Sequence, residues 1–539
     1  GAVYAEQDNG YNNNGFAYVF ERKDDSWTEI AKLTPTTQND FGYFGHMAKI
    51  SDDYIIIGKA GDDLNEPYTQ LGENLPVTGT HWGKFDTSSA LSYDGEYIAI
   101  GNVYADGGGT DKGEVYVFRY SGGSWSQIGD TLVGAANNDQ FGQSVSLSYD
   151  GLTLAVGSPY NIGSGASDNN QGKHQVYTYS GDSWSQKGSD IESSIDSSLL
   201  GWDVKLSDDG DILAASAYTS DYGLNDAGHV IIYNWSGSAW VQLGDRIEGE
   251  KASDNSGISI DLSSDGLIIA IGADLADSSV SNTGHVRIFV WDGSAWVQRG
   301  DDIDGATSSD RFGHSVSLSS DGTIIAIGAY DGPSNAGNAN GSVQVYKWSG
   351  TSWDERGSIL SYSVTAVADF GKSVSLSDDG NVLVIGVPGD DSYATDAGII
   401  YIYKWIGDWT LYMDGITGSI TNEDLGYHTS ISGDGKRIVL APGYTGVLSN
   451  PNGIVSVRVY EDSITDKAGS ALIFKKELTN FTSIVKLTPD ETISANDRFG
   501  NPVAIDGNYA IIGSYLYDTS GYIDTGTVYI AKYENSSWS

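Results

Sequence analysis

The chain has 539 residues, no cysteine and a formal net charge of −43, which arises from 72 acidic and 29 basic side chains. The lack of cysteine excludes disulfides, thiolate metal sites and cysteine nucleophiles, and the negative charge argues against a nucleic-acid partner, whose phosphates would be repelled. No apolar run is longer than one strand, such as residues 267–271, so the sequence predicts no membrane-spanning helix. The 70 glycines and 34 tyrosines are typical of a turn-rich all-β protein.

One unit of roughly 55 residues recurs along the chain. Its clearest copy, residues 312–353, opens with Phe312-Gly313 and continues through a strand that alternates serine with apolar residues, an Asp-Gly turn and an apolar run that ends at Gly328. A second alternating segment then leads to Trp353. Nine copies begin at Phe44, Phe85, Phe141, Leu200, Ser256, Phe312, Phe370, Leu425 and Phe499.

Within each copy the apolar pattern has a period of two, which indicates strands rather than helices. The Asp-Gly step favours positive φ and predicts a tight hairpin. A second turn of the type Ser121-Gly122-Gly123 precedes a strand that begins near a tryptophan. Each copy therefore predicts four strands joined by short turns, which form one small antiparallel sheet. The Asp-Gly step recurs at Asp94, Asp150, Asp209, Asp265, Asp321, Asp379 and Asp434.

A four-stranded sheet cannot bury both of its faces alone, so a series of such sheets packs face to face around an axis. We therefore predict an all-β fold, a β-propeller of four-stranded antiparallel blades. The count of repeats favours eight or nine blades, and a seven-bladed ring over residues 85–498 with appended ends is the alternative. A β-solenoid fits less well, because its coils are usually much shorter than this repeat.

The whole chain, residues 1–539, is predicted to form one propeller. Residues 16–58 resemble residues 484–530 more than they resemble the middle of the chain, so we expect residues 1–58 and 499–539 to meet and close the ring. Residues 59–84 and 445–484 match the repeat poorly and are predicted to be atypical insertions. Because the chain begins with Gly1 inside a repeat, we expect it to be a processed or excerpted piece.

Residues that recur at a fixed position of the repeat are predicted to be structural. The tryptophans equivalent to Trp353 suit packing between sheets, and glycines such as Gly328 suit places where two sheets crowd together. Histidines also recur in phase, His229 with His285 and His46 with His314. No catalytic motif of the hydrolase, metalloprotease or phosphate-loop type is present, so we nominate no catalytic residue and predict a protein that is not an enzyme.

The copies resemble FG-GAP repeats, the units of the integrin α-subunit propeller, and especially the variants in large surface and structural proteins of marine microbes and their viruses. The resemblance rests on the Phe-Gly steps that begin at Phe141, Phe312, Phe370 and Phe499, together with the Gly-Ala or Gly-Ser-Pro steps that follow the apolar strands. It implies a propeller fold and an extracellular or cell- or virion-surface location. It does not fix a function, because propellers serve in binding, scaffolding and catalysis.

The same resemblance implies calcium, because FG-GAP repeats often carry a calcium loop after the apolar strand. The corresponding loops here are acidic but irregular, and carboxylates and loop carbonyls would suit this hard cation. The alternative is a set of solvated acidic loops. The candidate calcium ligands are Asp106, Asp111, Asp221, Asp226, Asp274, Asp277, Asp390, Asp391, Asp396, Asp518 and Asp524.

Three classes of function follow from these observations. The first is a non-enzymatic extracellular adhesion or interaction module that presents propeller loops to a protein or glycan partner. The second is a structural building block of a virion or filament, which would self-assemble into a larger surface structure. The third is a hydrolase or lyase on a propeller scaffold. We expect partner specificity to lie where the copies differ, in the loops after the apolar strands and in residues 59–84 and 445–484.

Overall fold

The computed structural model divides the chain into two compact units, residues 69–461 and residues 1–68 with 462–539. Outside residues 88–442 the structure describes only the strands named below, and it describes side chains for Leu75 and within residues 88–439. Within 88–442 the description omits residues 107–108, 162–169, 222–223, 278–280, 332–340, 362–367, 413–414, 419–420 and 422–423.

The larger unit contains six blades, each built from five consecutive antiparallel strands. The first four strands lie side by side in chain order, and a short fifth strand pairs with the third. The predicted four-stranded antiparallel blade is therefore confirmed. The blades are β7 (Ser89–Leu91), β8 (Tyr97–Asn102), β9 (Glu114–Ser121), β10 (Ser124–Gln127) and β11 (Leu132–Val133); β12 (Val145–Leu147), β13 (Thr153–Ser158), β14 (Lys173–Ser180), β15 (Ser183–Gln186) and β16 (Ile191–Glu192); β17 (Val204–Leu206), β18 (Ile212–Ala217), β19 (His229–Trp235), β20 (Trp240–Gln242) and β21 (Ile247–Glu248); β22 (Ser259–Leu262), β23 (Ile268–Ala273), β24 (His285–Trp291), β25 (Trp296–Gln298) and β26 (Ile303–Asp304); β27 (Phe312–Leu318), β28 (Ile324–Ala329), β29 (Ser342–Trp348), β30 (Trp353–Glu355) and β31 (Leu360–Ser361); β32 (Ser373–Leu376), β33 (Val382–Val387), β34 (Ile399–Trp405), β35 (Trp409–Leu411) and β36 (Ile416–Thr417).

One further sheet of this unit is composite, because it joins strands from the two ends of residues 69–461. It consists of β37 (Leu425–Ile431), β38 (Arg437–Pro442) and β39 (Ile454–Glu461), with β5 (Thr69–Gln70) and β6 (Leu75–Thr78) both paired to β39. The strands β5, β6 and β39 of this sheet fall inside the stretches predicted to be atypical insertions.

A ring of backbone hydrogen bonds runs through the Asp-Gly turns and passes from each sheet to the next. It closes because the N–H of Asp434, in the composite sheet, donates to the Tyr93 carbonyl in the first blade at 3.1 Å. The other links, from donor N–H to acceptor carbonyl, are Tyr93 to Tyr149, Tyr149 to Asp208, Asp208 to Ser264, Ser264 to Ser320, Ser320 to Asp378 and Asp378 to Gly433.

This closure corrects the predicted number of blades. Eight or nine blades is wrong, because the ring in the described part of the larger unit has six blades built from consecutive strands, and the composite sheet lies between the last of them and the first. The alternative, seven blades over residues 85–498, does not hold either. The unit begins at Thr69 and ends at Glu461, and its closing sheet is assembled from both ends rather than from a seventh consecutive repeat.

The Asp-Gly hairpins form as predicted. In the fifth blade the Ser319 hydroxyl donates to Asp321 at 2.7 Å, Asp321 accepts the N–H of Thr323 at 2.9 Å, and Gly322 has a φ of 62°. The carboxylate therefore holds the turn while glycine supplies the left-handed conformation. The same serine-to-aspartate bond is made by Asp94, Asp150, Asp209, Asp265, Asp379 and Asp434.

Neighbouring blades pack through the recurrent aromatic residues. Phe312 and Phe370 are fully buried, and the indole N–H of Trp353 donates to the Arg299 carbonyl of the preceding blade at 2.8 Å. The Arg299 guanidinium lies over the rings of Trp348 and Trp353, at 4.8 and 5.8 Å from their centroids. The structure therefore places this tryptophan between blades, where the repeat predicts it.

The smaller unit contains three sheets. Its strands are β1 (Ala17–Lys23), β2 (Ser26–Leu33), β3 (Phe44–Ser51), β4 (Tyr54–Lys59), β40 (Ser470–Lys476), β41 (Phe481–Leu487), β42 (Phe499–Asp506), β43 (Tyr509–Ser514), β44 (Thr527–Glu534) and β45 (Ser537–Trp538). The sheet orders are β1-β2, β3-β4-β40-β41 and β42-β43-β44-β45. Segments from both ends of the chain thus share a sheet, because β4 pairs with β40. Among the described residues, no helix has the length and apolar character needed to cross a membrane.

Candidate functional site

The first strand of each blade lines a central channel in the larger unit. Near one end of the channel, the first strands of five blades and β37 of the composite sheet begin near the glycine of the Phe-Gly step or of its Leu-Gly or Ser-Gly equivalent, whereas the sequence of the first blade has Phe85-Asp86. The side chain directly after that glycine lines a cavity of about 240 Å³. We call this end the Phe-Gly mouth, and the six residues at this position are Gln143, Trp202, Ile258, His314, Lys372 and Tyr427.

Two half-buried aromatic residues, Trp202 and Tyr427, line the Phe-Gly mouth, and two more, Tyr218 and Tyr330, contact residues of its lining. Trp202 lies against Tyr218 with ring centroids 4.6 Å apart. The Lys372 ammonium lies 3.9 Å from the ring centroid of Tyr330 and 5.4 Å from that of Tyr427. Partly exposed rings beside a cation can stack on a ligand and orient a charged group.

A buried carboxylate holds His314 in place at this mouth. Asp274 is only 2% exposed, and its Oδ2 lies 3.0 Å from Nδ1 of His314 and 3.4 Å from a guanidinium nitrogen of Arg311. Burial lowers the pKa of His314, while its bond to Asp274 acts in the opposite direction. The arrangement gives an oriented histidine that lines the cavity.

Deeper in the channel, charged residues interrupt a lining of serines. Ser315 and Ser373 donate their hydroxyls to glycine carbonyls of the next sheet, at 2.9 and 2.8 Å. Asp203 takes the equivalent place in the third blade, and its carboxylate accepts the Ile260 N–H at 2.9 Å. Burial raises the pKa of Asp203, against the opposing effect of Lys205. Desolvation disfavours the ammonium of Lys205, but the nearby carboxylates, chiefly Asp261 at 3.7 Å, outweigh it and raise the pKa.

These channel residues were missed by the sequence predictions, which placed specificity in the loops and in residues 59–84 and 445–484. A usable signal was present. The residue after the glycine of this step is different in each of the six sheets that carry it, although the glycine before it is constant and a serine follows it in four of them. Variation at one position of an otherwise constant strand is the pattern expected of ligand-facing residues, and only ring closure shows that these positions converge.

The predicted calcium ligands occupy recurring turns. The carboxylates of Asp106, Asp221 and Asp391 each accept the backbone N–H of the residue five places later, and Asp277 does the same with Asn282. Those later residues, Asp111, Asp226, Asn282 and Asp396, have φ between 45° and 53°, a region that asparagine and aspartate tolerate well. In each of these four loops, one carboxylate oxygen of the earlier aspartate is therefore used as a hydrogen-bond acceptor within the turn.

The remaining predicted calcium ligands are dispersed. Asp390 is buried and accepts the Ser392 N–H at 2.9 Å, Asp274 is engaged with His314 and Arg311 as described above, and Asp518 and Asp524 lie outside the described residues. In the described part of the chain, the one group of three metal-ligating side chains within 4.8 Å is Glu250, His285 and Asp302, which contains none of the predicted residues. The Arg287 guanidinium lies 3.5 Å from Glu250 in that group, so a positive charge already faces it.

Calcium binding in the loops stays a prediction. Burial, together with the charges of Asp396 and Asp369, raises the pKa of Asp424 to about 6. A bound cation would relieve this repulsion. We expect a chelator at constant ionic strength to lower the melting temperature, and calcium to restore it with saturation, as binding to the folded state requires. Unchanged melting curves would leave these aspartates with their role in the turns alone.

Comparison with known proteins identifies the repeat. The family model described as FG-GAP repeat matches residues 303–346, from β26 into β29, and residues 481–531, from β41 into β44. The chain contains FG-GAP repeats and a β-propeller arrangement. No curated protein gives a significant match to it.

Several solved structures are similar to this FG-GAP protein in fold. The periplasmic gluconolactonase of Pseudomonas aeruginosa is 14% identical, with a TM-score of 0.43 over 70% of this chain and 92% of its own. The β-propeller domain of the trilobed protease of Pyrococcus furiosus is 11% identical, with a TM-score of 0.41 over 74% and 98%. AofleA of Arthrobotrys oligospora is 12% identical, with a TM-score of 0.35 over 65% and 90%.

Proposed function

We propose that this FG-GAP protein is a non-enzymatic extracellular adhesion or interaction module whose propeller binds a glycan at the Phe-Gly mouth. The observation that carries the proposal is the cavity of about 240 Å³, lined by six different residues at one position of the repeat. The framework residues recur from blade to blade and cannot distinguish one ligand from another. The mouth residues differ from blade to blade, so they can distinguish one ligand from another.

The chemistry of the mouth favours a glycan over a protein partner. Sugar rings present apolar C–H faces that stack on aromatic side chains, and Trp202, Tyr330 and Tyr427 supply such rings beside polar groups. An extracellular location is part of the proposal, because FG-GAP repeats are typical of extracellular proteins.

Replacement of one mouth aromatic tests this proposal. In an array of immobilised neutral and acidic oligosaccharides probed with the full chain, we expect Trp202→Ala to weaken binding at least about tenfold, or about 1.4 kcal/mol, because it removes a stacking surface. Tyr149→Ala is the matched control, since Tyr149 is 46% exposed at the Asp-Gly end and stacks on Tyr93. The proposal fails if no saccharide binds, or if the two variants bind alike.

A hydrolase is the second candidate, and the His314–Asp274 pair is the observation that favours it. A carboxylate 3.0 Å from one ring nitrogen orients a histidine as a proton acceptor. If the protein is a hydrolase, His314→Gln should abolish turnover of the bound saccharide while leaving its binding in place. Products absent from prolonged incubations with the unmodified chain would exclude this candidate for the saccharides that bind.

A further inference from the structure

We infer that the glycan bound at the Phe-Gly mouth is acidic, and that its carboxylate or sulfate group binds beside Lys372. This inference rests on the proposed function and adds the chemical class of the ligand. It is carried by the balance of charged groups in the cavity, by the geometry around Lys372 and by the size of the cavity.

The cavity inverts the charge balance of the chain. Acidic residues outnumber basic ones by 72 to 29 overall, yet the lining contains two lysines, Lys205 and Lys372, and a single carboxylate, that of Asp203. Burial raises the pKa of the Asp203 carboxyl and Lys205 opposes this effect, while Lys205 also pairs with Asp261 at 3.7 Å. The mouth therefore gathers cationic and hydrogen-bond-donating groups in a protein that elsewhere repels anions, and an anionic ligand gains most there.

The surroundings of Lys372 suit a sugar that carries an anionic group. Its ammonium lies over Tyr330 and within reach of Tyr427, so a ring stacked on either tyrosine would hold a carboxylate or sulfate close to the ammonium. Asp369 also interacts with Lys372 and competes for its charge.

The cavity volume restricts what part of the glycan can enter. At about 240 Å³ it is smaller than the roughly 300 Å³ at which small-molecule sites usually begin. The mouth thus admits the end of a saccharide chain rather than a whole oligosaccharide. We therefore expect recognition of a terminal acidic sugar, with the rest of the chain left outside the channel.

Matched trisaccharides test the inference with the full chain. The probes are a galacturonic acid trimer, a sulfated galactose trimer and a neutral galactose trimer, titrated by calorimetry at low and physiological salt. We expect the acidic probes to bind at least tenfold more tightly than the neutral one, and added salt to reduce the difference. The two acidic probes distinguish a carboxylate from a sulfate as the preferred group.

Two lysine variants separate a specific contact from net charge. Lys372→Met should remove most of the preference for the acidic probes, while Lys347→Met, which removes the same charge from an exposed position on β29, should keep it. Melting curves confirm that both variants are folded. Equal binding of all three probes, or a preference that survives Lys372→Met, would overturn the inference. If the probes bound without a preference for acidic sugars and Trp202→Ala abolished that binding, the proposed function would stand without the inference. If none of the probes bound, the proposed function and the inference would both be overturned.

Discussion

Gly272→Ala should destabilise the larger unit by about 3 kcal/mol or more, in the upper range for single substitutions. Gly272 ends the apolar strand β23, and a Cβ atom there would lie 1.9 Å from the carbonyl oxygen of Gly313 in the next blade. It would also lie 2.6 Å from the Ser259 hydroxyl, which donates to that same carbonyl. Because the nearest obstacle is backbone, no change of rotamer relieves the clash, and the two blades must separate.

The same close contact, between the glycine near the end of the second strand and a glycine carbonyl of the next sheet, recurs around the ring. It is therefore a general feature of how the blades pack. A Cβ would lie 1.9 Å from a glycine carbonyl at Gly157 and Gly386, 2.1 Å at Gly101 and 2.2 Å at Gly328. Removal of a glycine from a strand normally stabilises it by roughly 0.5–1 kcal/mol. That gain is too small to offset a forced separation of two packed sheets.

Gly237→Ala is the control for this prediction. A Cβ added at Gly237 would have no other atom within 4 Å, but Gly237 has a φ of 89°, so its substitution adds backbone strain alone, which costs roughly 1–2 kcal/mol. Urea denaturation followed by tryptophan fluorescence measures both variants. If Gly237→Ala cost as much as Gly272→Ala, the contact between blades would not be what fixes glycine at this position.

The sequence predicts the inside of a blade well, because its determinants are local. The Ser-x-Asp-Gly turn is complete within six residues, from Ser319 to Ile324, and alternation in the strands needs no distant contact. The crowding at Gly328 could also be predicted, since the same glycine recurs in most copies. Local hydrogen bonds and a repeated pattern carry this information directly.

The closure of the ring and the ligand site could not be predicted in the same way. The closing strands β5 and β6 are short and lack the repeat pattern, and their partner β39 follows them by almost the whole length of the unit. The mouth residues Trp202, His314 and Lys372 lie in different blades, so their proximity exists only after the ring has closed. Pairing between the two ends of a unit leaves no periodic signal in the sequence.

His174→Val should stabilise the protein at neutral pH and make it more resistant to acid. His174 is 0% exposed, and neither of its ring nitrogens has a hydrogen-bond partner. A buried polar group left unsatisfied costs roughly 1–3 kcal/mol. The equivalent positions, which also lie opposite the fifth residue of the second strand, hold Val115, Val230, Val286, Val343 and Ile400.

The gain should be about 1 kcal/mol at pH 7, since valine removes the unsatisfied nitrogens but loses the ring contact with Tyr233, whose centroid lies 5.6 Å from that of His174. Denaturant titrations of the unmodified chain and the variant at pH 7 measure this difference. Val343→His is the reciprocal variant, because Val343 pairs with Gly328 as His174 pairs with Gly157. It should lose stability at pH 7.

The difference between His174→Val and the unmodified chain should grow as the pH falls. Burial lowers the pKa of His174 to about 3 from an ordinary value of 6.5, with Asp190 acting in the opposite direction. Below pH 6.5 His174 is protonated in the unfolded chain but stays neutral in the folded chain. The free energy of unfolding therefore falls from pH 6.5 down to about 3, by on the order of 3 kcal/mol at pH 4. His174→Val removes this loss and Val343→His adds a second one. Parallel stability curves from pH 7 to pH 4 would show that His174 takes up its proton in the folded state.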